Sequence, residues 1–389
     1  MPASFSLQAA AAGMLAAFVG FASSFAVLIQ GFMAVGATRA EAASGLMAVC
    51  VLMGLAAVVI GLRTRMPISI AWSTPGAALL IGYGPVEGGF ATAVGAFVVA
   101  GALVVLAGMW RPLGRWVAAI PAPLANAMLA GVLLNLCLAP ARAVAEVPGP
   151  ALAIVAAWAI VGRVRRLLAV PAAVAAAILL IAITVDVPWD RLGPLWPHPV
   201  LVFPRFSATA AIGIGVPLFI VTMASQNIPG IAVLGLYGYR PAPGPLFRIT
   251  GLLSLASAPF GGHAINLAAI TAAICAGEDA HPDPERRYWA AVVAGLGYFV
   301  LGLGAGAAAA FIGAAPPILI EAVAGLALLG PLGGALMGAV SAQQGREAAV
   351  VTFLVAASGL TVLGIGGAFW GLVAGSAMLA LTRAGRPAA

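Results

Sequence analysis

The sequence predicts an all-α polytopic membrane protein with about 14 transmembrane spans in a 7+7 inverted repeat. Its composition is the first observation: 63% of the residues are hydrophobic, 7% are charged and the mean hydropathy is +1.12, whereas soluble domains are about 25% charged. The second is a pair of Pro- and Gly-broken polar stretches, 67–80 and 259–271, that lie about half a chain apart. Paired breaks of this kind indicate a transporter site between two repeats.

Apolar runs separated by charged residues define the spans. The run 348–381 would form a helix of about 51 Å against a hydrocarbon core of about 30 Å, so we expect a hairpin that turns at Gly364, Gly366 and Gly367. The predicted spans are 9–36, 42–62, 67–83, 88–110, 117–141, 147–162 and 167–185, then 208–236, 249–258, 259–277, 288–311, 316–342 and two within 348–381.

The arginines set the predicted orientation. An even number of spans places both termini on one side, where 14 of the 18 arginines fall; the other four are Arg39, Arg142, Arg191 and Arg205. Basic residues concentrate in cytoplasmic loops, so both termini are predicted to be cytoplasmic and the linker 186–205 external. The net charge of +7 is then a matter of orientation, and no nucleic-acid partner is expected. The acidic segment 278–287 is predicted to be a solvated cytoplasmic loop.

Matching features support the repeat. Pro67 and Thr74 match Pro259 and Asn266 at an offset of 192 residues, close to half of the 389-residue chain. Seven spans per half make the second half enter the membrane from the opposite face. We therefore divide the chain into a first repeat, 1–200, and a second repeat, 201–389.

The first polar break has the sequence of a helix that starts within the membrane. About five to seven extended residues reach the midplane and about nine helical residues complete the crossing. Ser73 and Thr74 carry hydroxyls that cap free amides, and Pro75 with Gly76 suits the first helical turn. We expect a half-helix from about Thr74, in the third span, after a short extended segment.

The second break predicts a matching half-helix, 267–277, in the tenth span. The extended approach to it contains His263, Ala264, Ile265 and Asn266. Two helix N-termini near the bilayer centre present free N–H groups and positive dipole ends, which suit an anion. No arginine lies in either half-helix, so the predicted site favours a carboxylate.

Polar residues near the middle of the eighth and first spans complete the predicted site. They are Ser225, Gln226 and Asn227, with Ser23 and Ser24 as their counterpart. Polar groups at this depth are costly unless they meet partners or water, so we predict substrate contact, with interhelical hydrogen bonding as the alternative.

Apolar side chains near these polar groups are candidates for a slot that receives a ring. They are Phe25, Trp72, Phe260 and Ile265.

Neither a metal site nor an enzyme is predicted. Cys50, Cys137 and Cys275 each lie within a predicted span, which favours packing over disulfide or metal chemistry. The histidines are scattered, with no H-E-x-x-H motif and no nucleophile constellation. No cofactor is expected.

Three motifs, TMASQNIPGIAVL, FGGHAINLAAITAAICAG and EDAHPDPERRYWA, resemble the benzoate/proton symporter family (benzoate membrane transport proteins), and the resemblance extends over essentially the whole chain. That family is distantly similar to the nucleobase-ascorbate transporters. The resemblance implies a bacterial inner-membrane protein with a core domain (spans 1–4 and 8–11) and a gate domain (spans 5–7 and 12–14). A homodimer is left open. By the same resemblance, Gln226 and His263 stand where the nucleobase pattern has two acids.

These observations predict a proton-coupled importer of benzoate or a similar aromatic carboxylate that works by alternating access in the lipid bilayer. A nucleobase or other organic-anion carrier, or an anion channel on the same scaffold, is the alternative. His263, beside the predicted carboxylate site, and Glu321, the only acid within a predicted span, are the predicted proton-coupling residues. Glu321 follows Pro316 closely, so it is also a candidate for lining the external vestibule.

Overall fold

The computed structural model describes residues 5–110, 121–184, 196–268, 270–363 and 365–384. Residues 186–195 of the predicted linker, with Arg191, and Gly364 of the predicted final turn lie outside this part of the chain. Among the described residues, seven helices are long and apolar enough to cross a membrane, or up to eight if one bent pair counts as a single span. The chain is thus a multi-pass helical membrane protein, and the count of 14 spans stays a prediction.

The first half of the chain begins with a span that is broken between α1 and α2. The elements of this half are α1 (Leu7–Ala22), α2 (Phe25–Ala34), α3 (Arg39–Thr64), β1 (Ile70–Trp72), α4 (Thr74–Tyr83), α5 (Phe90–Met109), α6 (Ala122–Cys137), α7 (Ala139–Glu146), α8 (Pro148–Val164) and α9 (Ala169–Thr184).

The second half contains a corresponding strand and half-helix. Its elements are α10 (Ala208–Leu236), α11 (Pro243–Ser257), β2 (Ile265–Leu267), α12 (Ile270–Ala276), α13 (Tyr288–Leu303), α14 (Ala305–Ala314), α15 (Pro317–Val340), α16 (Arg346–Ala357), β3 (Thr361–Val362), β4 (Ile365–Gly366) and α17 (Gly367–Ala384). The helical stretch that contains α13 bends by 54° where α14 begins.

The two short strands meet inside the helical body. β1 pairs with β2 in antiparallel fashion, with Ala71 opposite Asn266. Pairing of the two segments satisfies backbone groups that lipid could not, which allows non-helical backbone at membrane depth.

The third-span half-helix is confirmed: α4 begins at Thr74, and the Ser73 side chain caps it. The second half-helix begins later than predicted, at Ile270 instead of residue 267. Ile265–Leu267 is held as strand β2 by its pairing with β1, so the structural counterpart of Thr74 lies beyond Asn266.

The predicted final hairpin is present as α16 and α17, joined by the β3–β4 ribbon. Its turn differs from the prediction, because Gly366 lies in β4 and Gly367 is the first residue of α17. Gly359, with φ +71°, supplies a left-handed position just before the ribbon, where a side chain would be strained.

The helices pack in two groups. α3 packs along α13, α5 along α11 and α1 along α13, whereas α6 packs along α15 and α16, and α16 along α17. Small residues permit a close crossing of α3 and α13: a Cβ at Gly54 of α3 would lie 2.5 Å from the Gly295 carbonyl oxygen of α13. Such contacts stabilise membrane helices through close packing.

The loop after α12 is tied to Arg287, which is 5% exposed although a solvated loop was predicted. Its guanidinium donates to the carbonyls of Ala276 (2.9 Å), His281 (2.6 Å) and Pro282 (3.2 Å). Tyr239 donates to the Pro284 carbonyl of the same loop at 2.7 Å. A cation at this end of α12 complements its free carbonyls.

Candidate functional site

Ser73, between β1 and α4, makes hydrogen bonds to three residues of the second half of the chain. Its Oγ accepts from the Gly76 N–H (3.1 Å) and from the Thr222 hydroxyl (3.3 Å). Its N–H donates to the Ala264 carbonyl at 3.0 Å, and its own carbonyl accepts from His263 Nε2 at 2.9 Å. The start of α4 is therefore fixed by the segment that contains β2.

His263 lies in the protein interior and is fully buried. Because the Ser73 carbonyl can only accept, Nε2 carries the proton of that hydrogen bond. The ring meets Phe32 and Phe97 edge-on, at centroid distances of 5.5 and 6.3 Å. Nδ1 has no hydrogen-bond partner among the described residues. His263 thus stabilises the start of α4 through its hydrogen bond to Ser73. Its predicted role in proton coupling stays a prediction.

Two buried asparagines also hold β2. Asn227 Oδ1 accepts from the Leu267 N–H at 2.9 Å. In the amide orientation that satisfies both neighbours, Asn266 accepts from the Ser73 N–H (3.0 Å) and donates to the Leu267 carbonyl (2.8 Å). Both side chains are fully buried, and each makes at least one hydrogen bond to the backbone of Leu267 in β2.

A small cavity of about 70 Å³ lies beside this junction, where the break between α1 and α2 meets β1, α4 and α12. Four of the polar residues predicted from the sequence line it: Ser23, Ser24, Thr74 and Gln226. The other predicted residues do not line it; these are Pro75, Gly76, Ser225, Asn227, His263, Ala264, Ile265 and Asn266. Ser225 instead donates to the Val221 carbonyl within its own helix, at 2.6 Å.

Aromatic rings form one wall of the cavity. Trp72 Nε1 donates to Ser24 Oγ at 3.1 Å. The Trp72 ring meets Tyr298 and Phe21 edge-on, at 6.1 and 5.9 Å, and Phe25 stacks behind Phe21 at 5.3 Å. Of the ring-slot candidates, only Trp72 lines the cavity. This wall can receive a planar apolar group.

Neutral polar groups also line the cavity. Thr74 opens α4, and Gln226 lies in a π-helical turn of α10, Met223–Asn227; such turns are frequent at functional sites. Thr271 is 5% exposed and its hydroxyl has no hydrogen-bond partner among the described residues. No basic residue lines the cavity, so an anion here would rely on hydroxyl, amide and helix-terminus donors.

Thr271 and Tyr298 line the cavity but were not predicted. Thr271 falls at the end of the second polar break. Had the half-helix been predicted to start at Ile270 instead of residue 267, Thr271 would have been recognised as a candidate in its first turn. Tyr298 lies in the apolar helix α13, where no local signal distinguishes a cavity-lining tyrosine from a packed one.

Two of the larger cavities bear on the predicted residues. One, of about 650 Å³, follows the same α1 and α12 faces and includes Gln8, Leu15 and Ile274. The other, of about 330 Å³, contains the half-buried Glu321 together with Arg142. The two predicted proton-coupling residues are therefore not in one place.

Comparison with known proteins gives a family match and two curated relatives. The family model described as benzoate membrane transport protein matches residues 3–381. The chain is 41% identical over 372 residues to inner membrane protein YdcO of Escherichia coli (strain K12), covering 94% of this chain and 93% of that protein. It is 29% identical over 375 residues to the benzoate membrane transport protein of Acinetobacter baylyi, covering 95% and 94%.

Two transporters are among the solved structures that share the fold. The transmembrane domain of the cyanobacterial bicarbonate transporter BicA gives a TM-score of 0.62 at 17% identity, covering 91% of this chain and 97% of that chain. The murine Slc26a9 anion transporter in its inward-facing state gives 0.65 at 13% identity, covering 98% and 69%. At these identities the likeness shows the fold alone, which is an inverted-repeat transporter fold.

Proposed function

We propose that this chain, which belongs to the benzoate membrane transport protein family, imports benzoate or a similar aromatic carboxylate together with protons. The family is one of membrane transporters and not of enzymes, and the chain is a multi-pass membrane protein with an inner-membrane relative.

One observation carries the choice of substrate: the small cavity is lined both by aromatic rings and by neutral hydrogen-bond donors. A carboxylate placed near Thr74, Thr271 and Gln226 would accept hydrogen bonds, including one from the unpartnered Thr271 hydroxyl. The α4 N-terminus would favour its negative charge. The ring would then lie against Trp72 and Tyr298.

Transport on this scaffold requires the cavity to widen, because about 70 Å³ is well below the roughly 300 Å³ of small-molecule pockets. We assign α1–α5 and α10–α14 to a core domain, and α6–α9 and α15–α17 to a gate domain. The packing of the helices into two groups supports this division. Rocking of one group against the other would expose the site, and the cavity along α1 and α12 marks a route from it.

We retain two residues as proton carriers. Glu321 is half-buried at a cavity between the two helix groups, and an ionisable residue inside a membrane protein is a functional candidate. His263 has an unpartnered Nδ1 that can accept a proton while Nε2 keeps its bond to the Ser73 carbonyl. A proton there would act on the carboxylate through the start of α4.

The experiment is uptake into proteoliposomes with an inward proton gradient, using benzoate, salicylate, uracil and xanthine as substrates. We expect benzoate or salicylate to accumulate and the accumulation to collapse with an uncoupler. Accumulation of uracil or xanthine alone would identify a nucleobase carrier, and flux that never exceeds equilibrium would identify a channel.

The coupling residue is tested by the variants Glu321→Gln and His263→Gln. A coupling residue should lose pH-driven accumulation while substrate counterflow persists, since exchange requires binding but no net proton movement. If both variants still accumulate substrate with a pH gradient, neither residue carries the proton.

We also propose cytoplasmic termini, on the basis of the arginine distribution. His198 is an exposed residue of the linker that is predicted to be external. A His198→Cys variant, in a background without the native cysteines, should react with an impermeant maleimide in whole cells. Reaction only after permeabilisation would reverse the orientation.

A further inference from the structure

The cavity of about 330 Å³ that contains Glu321 lies between the end of α4 and the hairpin that joins α16 to α17. It shares no lining residue with the smaller cavity at the start of α4. Its volume falls in the range of roughly 300–1,000 Å³ that small-molecule pockets occupy. A ligand of the proposed size therefore fits here without the widening that the smaller cavity requires.

The walls of this cavity combine apolar side chains with polar ones, two of which are charged. Leu79, Leu136 and Leu360 contribute aliphatic surface, and Tyr83 at the end of α4 contributes a ring. Arg142, the cation, lies in the first turn of α7. Apolar walls with a few convergent polar groups are the usual composition of a small-molecule site.

Arg142 is an arginine without a carboxylate partner in the described part of the chain. Its side chain is exposed to the cavity, and the structure records no ion pair between it and Glu321, although both line the same space. A guanidinium presents a rigid fork of N–H donors that matches a carboxylate in bidentate fashion. Arg142 is therefore free to take an anion from solution.

We propose that this cavity is a second binding site for the carboxylate substrate, where Arg142 captures the anion before it reaches the half-helix site. The carboxylate pairs with Arg142 and the ring lies against Tyr83 and Leu360. Glu321 shares the space and repels an anion when it is ionised, so removing its charge strengthens capture. The identity of the ligand rests on the proposed function; the electrostatic character of the cavity does not.

The first experiment measures that character without transport. A single cysteine is introduced as Leu360→Cys after Cys50, Cys137 and Cys275 are replaced by alanine. Leu360 lines the cavity and is 43% exposed. Its reaction rates with an anionic methanethiosulfonate (sulfonate) and a cationic one (trimethylammonium) are compared at low salt.

Arg142→Gln should lower the anionic-to-cationic rate ratio about fivefold, and Glu321→Gln should raise it by a similar factor, since each removes one charge near the reacting thiol. High salt should shrink both changes. The control is Arg205→Gln, an exposed arginine outside the cavity, which should leave the ratio unchanged. An Arg142→Gln ratio equal to that of the control would overturn the proposal.

The second experiment measures capture. Benzoate should slow the modification of Leu360→Cys, and Arg142→Gln should abolish this protection and raise the KM of uptake about tenfold, with Arg142→Lys intermediate. If the wild type transports no aromatic carboxylate, the proposed function fails while the rate-ratio test still reports on the cavity. If benzoate is transported but neither protects the cysteine nor depends on Arg142, the capture site is refuted and the proposed function stands.

Discussion

Gln226 and Asn227 are adjacent in the sequence but have different surroundings in the structure. Substituting each residue by alanine tests that difference. Gln226 lines the small cavity and is half-buried. Asn227 is fully buried and accepts a hydrogen bond from the Leu267 N–H at 2.9 Å. Gln226→Ala should therefore change ligand affinity, whereas Asn227→Ala should change the free energy of unfolding.

The magnitudes follow from the two environments. Loss of one buried polar contact to a carboxylate costs about 1–3 kcal/mol, so Gln226→Ala should raise the Kd for benzoate about 5- to 150-fold. Its melting temperature without ligand should stay near that of the wild type. Asn227→Ala leaves the Leu267 N–H without its acceptor and should destabilise the fold by about 1–2 kcal/mol.

Thermal unfolding in detergent, with and without benzoate, measures both quantities in one assay. The wild type should gain a ligand-dependent rise in melting temperature that Gln226→Ala loses. Asn227→Ala should melt earlier but keep most of the rise. The reverse pattern, with lost affinity at Asn227 and lost stability at Gln226, would refute the orientation of this helical turn.

Two further predictions concern stability. Gly54→Ala should lower the free energy of unfolding by about 1–3 kcal/mol, because its Cβ would lie 2.5 Å from the Gly295 carbonyl oxygen. The control Gly235→Ala, with open space around the residue, should be neutral or slightly stabilising. Equal melting temperatures of the two variants would contradict the close crossing. Arg287→Gln should lower the free energy of unfolding by about 3 kcal/mol, because the buried guanidinium loses three hydrogen bonds to backbone carbonyls. Arg286→Gln, which breaks only an exposed ion pair at 3.4 Å, should cost under about 1 kcal/mol, and proteolysis of the loop at equal rates in both variants would argue against the role of Arg287.

Local chemistry was sufficient to predict the membrane class and the start of α4, which borders the small cavity. Hydropathy identifies the apolar spans, and the hydroxyl–proline–glycine order around Ser73 identifies the start of α4, because capping depends on residues within one turn. Ser24 and Gln226 could be recognised for a related reason: polar groups at membrane depth stand out from apolar neighbours. All these signals lie within a few residues of the feature that they predict.

The tertiary structure decided which other side chains line the small cavity. The start of α12 at Ile270 depends on the pairing of β2 with β1, a contact between segments half a chain apart. The separate roles of Gln226 and Asn227 depend on which side chain the π-helical turn directs toward β2. Tyr298 enters the cavity wall only because α13 packs against the broken first span. Such features are set by long-range contacts, and for that reason the sequence determined the kind of protein and the start of α4, whereas only the packed structure determined which side chains share the cavity.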